Sequence, residues 1–124
     1  MEDQDVYTVI GDQGFRRLVA GFYGRVAGDD LLGAMYPKSD LAGAEQRLRD
    51  FLVFRFGGPP RYIEDRGHPR LRMRHAPFPV DQAARDRWLE LMSAALEEAS
   101  FPEEVRQILG SYFESTATAM MNRT

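Results

Sequence analysis

The sequence predicts an all-α fold. Apolar residues recur at helical spacing in four stretches, no segment alternates convincingly at the period of a strand, and five of the seven prolines crowd into residues 59–80, leaving the other stretches unbroken.

Phe15, Leu18, Val19, Phe22, Tyr23 and Val26 follow at steps of three, one, three, one and three, which is one apolar stripe on a helix ending near Gly28. Leu31, Leu32, Met35 and Tyr36 make a shorter apolar turn that Pro37 stops. Leu41, Ala44, Leu48, Phe51, Leu52 and Phe56 mark another helix, with Ser39 or Asp40 as N-cap and Gly57-Gly58-Pro59-Pro60 as its end. Among the clustered prolines only one short helix fits, from about Pro69 to Ala76. The loop before it is long, and long loops are either functional or disordered. Asp81 caps a helix that reaches about Ala99, striped by Trp88, Leu91, Met92, Ala95, Leu96 and Ala99. Ser100 and Glu103 have capping-box spacing for a last helix, striped by Val105, Ile108, Leu109, Tyr112, Phe113 and Met120. Helices this short need partners, so their apolar faces must converge on one core. With 124 residues the chain suffices for one domain, residues 1–124, and is short of two.

Composition narrows the chemistry. The chain has no cysteine, which excludes disulfides, thiolate zinc sites, iron–sulfur clusters and cysteine nucleophiles. Its net charge of −3 gives no global basic excess for nucleic acid. No stretch approaches the ~20 apolar residues of a membrane span. The acidic N-terminus lacks an apolar signal core, so a cytoplasmic location is expected. There is no P-loop, dinucleotide fingerprint, HExxH or EF-hand pattern. Glu97-Glu98 and Glu103-Glu104 read as exposed helix surface.

Three groupings remain. His75 closes the run Arg70-Leu71-Arg72-Met73-Arg74-His75 and shares a helix face with Leu71, four residues earlier. Its imidazole suits either an axial haem ligand or a cap at a helix C-terminus. His68 precedes Pro69 and reads as a loop hydrogen-bonding residue. The seven-residue separation puts both imidazoles on the same side of a continuous helix, which argues against bis-histidine ligation. Tyr23, Tyr36 and Trp88 each carry a polar tip within an apolar stripe: either ordinary core aromatics, or donors meeting around a small ligand bearing negative charge. Arg61, Arg66, Arg70, Arg72 and Arg74 outweigh Glu64 and Asp65 by 5 − 2 = +3. That suits an acidic ligand or a solvated loop laced with ion pairs.

At these residues the sequence resembles the truncated haemoglobins, specifically the second, haemoglobin O-type group. The matching stretches are Phe22-Tyr23, Tyr36-Pro37, Asp40-Leu41-Ala42-Gly43-Ala44-Glu45, Arg47-Leu48-Arg49, Gly57-Gly58-Pro59, Gly67-His68-Pro69 through His75-Ala76-Pro77-Phe78, and Trp88. They run in the expected order over almost the whole chain, and the Gly-His-Pro run through His75 is the most specific. The first twelve residues and the last helix match in pattern alone.

The resemblance implies a two-over-two helical sandwich around haem b, with His75 as the metal ligand. It places Leu71 beneath the macrocycle, and Leu48 and Phe51 above it. Ala44 stands where many globins carry a distal histidine, so ligand stabilisation falls to Tyr23, Tyr36 and Trp88. Arg72 and Arg74, with Tyr62, are the implied partners of the propionates. The implied ligands are dioxygen, carbon monoxide and nitric oxide. Candidate tasks are nitric oxide dioxygenation, peroxidase-like chemistry or oxygen sensing rather than bulk transport, and turnover would require a separate reductase. Exposed apolar residues leave a homodimer open. The readings from other classes are a haem-free helical interaction module and an Arg-rich nucleic-acid adaptor.

Overall fold

A computed structural model describes residues 1–123, and every regular element among them is helical. Helix α1 spans Val6–Val26 and starts earlier than its apolar stripe suggests. Gly11 explains the difference: with φ 63° it breaks the helix, so the first turn is set apart from the stripe that begins at Phe15. That turn is anchored by the Tyr7 N–H, which donates to the Phe56 carbonyl at 3.0 Å. Gly57, at φ 98°, lets the N-terminal segment lie against it, where a Cβ would collide with the Gln4 carbonyl.

Helix α2 (Leu41–Arg55) packs on α1. Asp40 stands at its N-cap position, but its carboxylate accepts from the Arg47 guanidinium at 2.7 Å rather than from a helix amide. Residues 59–80 hold two short helices where one was expected. The additional one, α3 (Arg61–Arg66), buries Tyr62, packs on α2 and ends at Gly67. The other, α4 (Leu71–His75), begins after Arg70 in the left-handed region at φ 43°. Pro69 therefore precedes the helix instead of opening it. Residues 31–36, expected as a short apolar helical turn, form successive turns and a bend rather than a helix.

Helix α5 (Gln82–Ala99) is capped as expected, with the Asp81 carboxylate accepting the Ala84 N–H at 2.9 Å. Helix α6 (Glu103–Ala119) is not: Pro102 occupies its N-cap and no side chain caps it. Ser100 instead terminates α5 in the left-handed conformation, φ 56°, with its N–H donating to the Glu97 carbonyl. Local spacing cannot tell a residue that starts one helix from one that ends the helix before.

Helices α1 and α2 pair, α5 and α6 pair, and the pairs meet through α1 and α5. Phe15, Phe22 and Phe56 are fully buried at these crossings. Burial of each such ring contributes roughly 1.5–3 kcal/mol relative to leaving it in water. No helix among the described residues is long and apolar enough to cross a membrane.

Candidate functional site

The core does not close completely. A cavity of about 430 Å³ lies between the helix pairs, reached by residues from every helix. Its walls are mainly apolar, with Leu48, Phe51 and Leu52 from α2, Leu71 from α4, and Phe113 and Ala117 from α6. Phe51 and Tyr62 meet edge to face at 5.4 Å.

His75 is the histidine that lines this cavity; His68 is exposed and outside it, its Nδ1 accepting the Arg70 N–H at 3.1 Å. The Nδ1 of His75 lies 2.8 Å from the Leu71 carbonyl oxygen, one turn back along α4. A carbonyl only accepts, so Nδ1 must carry the hydrogen. In the neutral ring, Nε2 then keeps a free lone pair, the arrangement in which an imidazole is oriented and ready to ligate a metal.

Tyr23, Tyr36 and Trp88 also line the cavity. The Tyr23 and Tyr36 rings meet edge to face at 5.6 Å. Phe22 backs the group, 5.0 Å from the Tyr23 ring and 5.2 Å from Trp88. Burial pushes both phenols above their ordinary pKa. For Tyr23 the neighbouring Tyr36 adds to the rise; for Tyr36 the donors on Tyr23 and Trp88 oppose it. Both hydroxyls thus stay protonated through the physiological range and remain able to donate.

The turn bearing Tyr36 is tied to the helix bearing Trp88. Asp29 accepts the Leu31 and Leu32 N–H groups at 3.1 and 2.7 Å, and Arg87 donates to the same carboxylate at 2.6 Å. These donors, the Leu32 amide foremost, hold the Asp29 pKa below the usual value.

A matching family model, described as bacterial-like globin, spans residues 5–122. The chain belongs to this family. The globin is 41% identical over 118 residues to the group 2 truncated hemoglobin YjbI of Bacillus subtilis, covering 95% of this chain and 89% of that one. It superposes with a TM-score of 0.92 on the hemoglobin of the thermophilic phototroph Chloroflexus aurantiacus, at 51% identity over 95% of this chain and 98% of that one. A truncated oxygen-avid haemoglobin from Bacillus subtilis superposes with a TM-score of 0.90, at 40% identity over 94% and 98% of the two chains. The all-α truncated globin fold and the group II resemblance are thereby established. Membership implies a haem cofactor and the binding of diatomic gases such as oxygen.

The cavity fits that cofactor by its own chemistry. It combines apolar walls for a flat macrocycle, one imidazole with a free nitrogen, and guanidinium groups of Arg47, Arg66 and Arg74 for an anionic edge. The structure separates the two arginines expected at that edge. Arg74 lines the cavity, donates to the Pro69 and Arg66 carbonyls at 2.8 and 2.9 Å, and lies 5.8 Å over the Tyr62 ring. Arg72 is outside the cavity, donating to the Ala119 carbonyl at 2.9 Å. Successive helical residues are turned by about 100°, so residues two apart face nearly opposite ways.

Several lining residues escaped the sequence reading as site residues. Tyr112 and Phe113 were placed in the globin's core stripe, and a stripe pattern cannot say which core position borders a hollow. Arg66 stood in the arginine grouping but was not among the residues implied for the propionates, and Thr116 carried no distinguishing signal. A second hollow, about 500 Å³, lies between α1, α2 and α3 and is lined by charged and amide residues, including Arg16 and Asp50. Arg61, from the arginine grouping, bonds Asp12 there at 2.9 and 3.2 Å and holds the Asp12 pKa down, as in the ion-paired alternative for that grouping; none of the residues that the resemblance implied for the haem site lines it.

Proposed function

We propose that His75 binds the iron of haem b and that the globin retains dioxygen, or alternatively carbon monoxide or nitric oxide, against Tyr23, Tyr36 and Trp88. The observation that carries this reading is the His75 ring: it lines the cavity, and its Nδ1 is committed to the Leu71 carbonyl. Bound haem supplies reversible gas binding and one-electron chemistry at its iron.

The protein's own groups do the rest. Leu48, Phe51 and Leu71 wall the macrocycle from water. Arg74, braced by two carbonyls and the Tyr62 ring, offers its guanidinium to a propionate. Arg66 is the better second candidate, since Arg72 is held at Ala119. The phenol O–H groups and the indole N–H would donate to a bound ligand that carries negative charge, and donors already gathered at one wall would need little reorganisation. A hydrogen bond to a charged group is worth about 1.5–3 kcal/mol. About 1.4 kcal/mol is tenfold in affinity, so two such bonds slow ligand release by several decades. The oxygen-avid description of the Bacillus subtilis relative supports the same reading.

Slow release is poor for transport and suits retention for redox use, either nitric oxide dioxygenation or peroxide chemistry, with electrons from a separate reductase. The test is to purify the protein with haem supplied and record its ferrous spectrum with and without carbon monoxide. A Soret band that responds to carbon monoxide, and the loss of native ligation in His75→Ala, are expected. A well-folded but colourless protein, or an unchanged ferrous spectrum in His75→Ala, overturns the proposal.

A further inference from the structure

The segment that carries His75 has little support of its own. Helix α4 is only five residues long, it starts from a left-handed residue, and Pro77 prevents its continuation. Its last carbonyls have no partners within the helix. Neighbouring amides supply some partners, the Ala76 N–H to the Met73 carbonyl at 3.3 Å and the Phe78 N–H to the His75 carbonyl at 2.9 Å, and the far end of the chain supplies more. The Asn122 side-chain Nδ2 donates to the His75 carbonyl at 3.2 Å and to the Phe78 carbonyl at 3.0 Å. Its Oδ1 accepts the Val80 N–H at 2.9 Å. The Asn122 and Arg123 backbone N–H groups both donate to the Val80 carbonyl, at 2.9 and 3.2 Å. One amide thus uses both donor hydrogens and its acceptor on residues 75–80. Two neighbouring bonds reinforce the clasp: Arg72 to the Ala119 carbonyl, and Arg85 to the Thr118 hydroxyl at 2.9 Å.

We propose that Asn122 is a positioning residue for the proximal histidine, a latch by which the C-terminal segment sets where the His75 ring stands in the cavity. The inference rests on the reading of His75 as the iron ligand. The imidazole is fixed at two points: Nδ1 holds it to Leu71, and its own backbone carbonyl is held by Asn122 together with the Phe78 N–H. Removing Asn122 leaves the local Phe78 bond but unties the turn after α4 from the C-terminal segment, so that the turn and the end of α4 can shift together relative to the cavity wall. A side-chain amide is required. A carboxylate of nearly the same size would turn two donors into acceptors facing the His75 and Phe78 carbonyls, and repel them.

The experiment compares wild type, Asn122→Ala and Asn122→Asp in the haem-loaded protein. Three measurements are made: the iron–histidine stretching band of the ferrous form, the rate of haem transfer to excess apomyoglobin, and hydrogen exchange at the Val80 amide. Asn122→Ala, which removes the acceptor, is expected to speed Val80 exchange, and both variants to shift or broaden the stretching band and to lose haem on the order of tenfold faster, as for other groups that orient a metal ligand. Asn122→Asp is expected to show the larger change. Faster exchange with an unmoved stretching band would reduce Asn122 to a structural tie and overturn the latch; no change in any measurement overturns it as well. Failure of the underlying reading looks different: wild type itself would show no iron–histidine band.

Discussion

Tyr23 and Trp88 project into the cavity from α1 and α5, helices of 21 and 18 residues, and both rings lean on the fully buried Phe22. His75 projects into the same cavity from a helix of five residues with no buried member. Its segment is held by hydrogen bonds: Arg74 to two carbonyls, His75 to Leu71, and Asn122 to three residues. The donors stand on a packed wall, and the imidazole hangs in a polar harness. Packing is collective and hard to deform. Each hydrogen bond contributes only about 0.5–1.5 kcal/mol net, but it fixes direction. The metal ligand that we propose His75 to be needs direction, whereas a wall that places several protons at once needs stiffness.

The strongest way to break this contrast is to remove the wall's backing. Phe22→Ala is expected to destabilise the fold by about 3–5 kcal/mol, measured by urea unfolding, because it leaves a cavity between Tyr23 and Trp88. A loss below 1 kcal/mol would show that the wall does not depend on packing. Next in size, Trp88→Phe keeps an aromatic ring but removes the N–H. Oxygen release should quicken by about 10- to 100-fold, the equivalent of a 1.5–3 kcal/mol bond, in stopped-flow displacement. An unchanged rate would remove Trp88 from ligand retention. On the harness side, Arg74→Ala should cost about 1 kcal/mol and leave haem bound, since its bonds end on partly exposed carbonyls. Loss of haem in this variant would move Arg74 from the rim to the centre of the site.

The smallest expected effect is a dependence on pH. Asp29 has a folded pKa held below its ordinary 3.8, so its contribution is fully present above that value and is lost as pH falls through the folded one. Asn at this position does not titrate. The stability gap between wild type and Asp29→Asn should be open at pH 7 and 5 and close in acid. A gap of constant size down to pH 2 would mean that the charge is irrelevant.

Much of this was legible from residue spacing. The stripes led by Phe15, Leu41, Trp88 and Val105 each became a helix, because packing faces repeat with the helix turn. Helix α3 was hidden because a turn and a half with only Tyr62 and Ile63 apolar has no periodicity to detect. The lining of the cavity by Tyr23, Tyr36, Trp88, Leu48, Phe51, Tyr62, Leu71, Arg74 and His75 was anticipated through resemblance; spacing alone left His75 open between ligand and cap. The exclusion of Arg72 was within reach, since it stands two residues from Arg74 on one short helix. Asn122 was not: its partners lie 42 to 47 residues away, and a single amide near a chain end has no pattern of its own.

Arg87 and Trp88 are consecutive residues of α5, and their side chains leave the helix in different directions, one toward Asp29 and one into the hollow. Asp29 in turn anchors the turn that brings in Tyr36. An ion pair outside the cavity therefore sets the spacing between two cavity-lining groups that it never touches. On the proposed reading, substitutions at this pair retune how long a guest stays without altering any residue of the chamber itself.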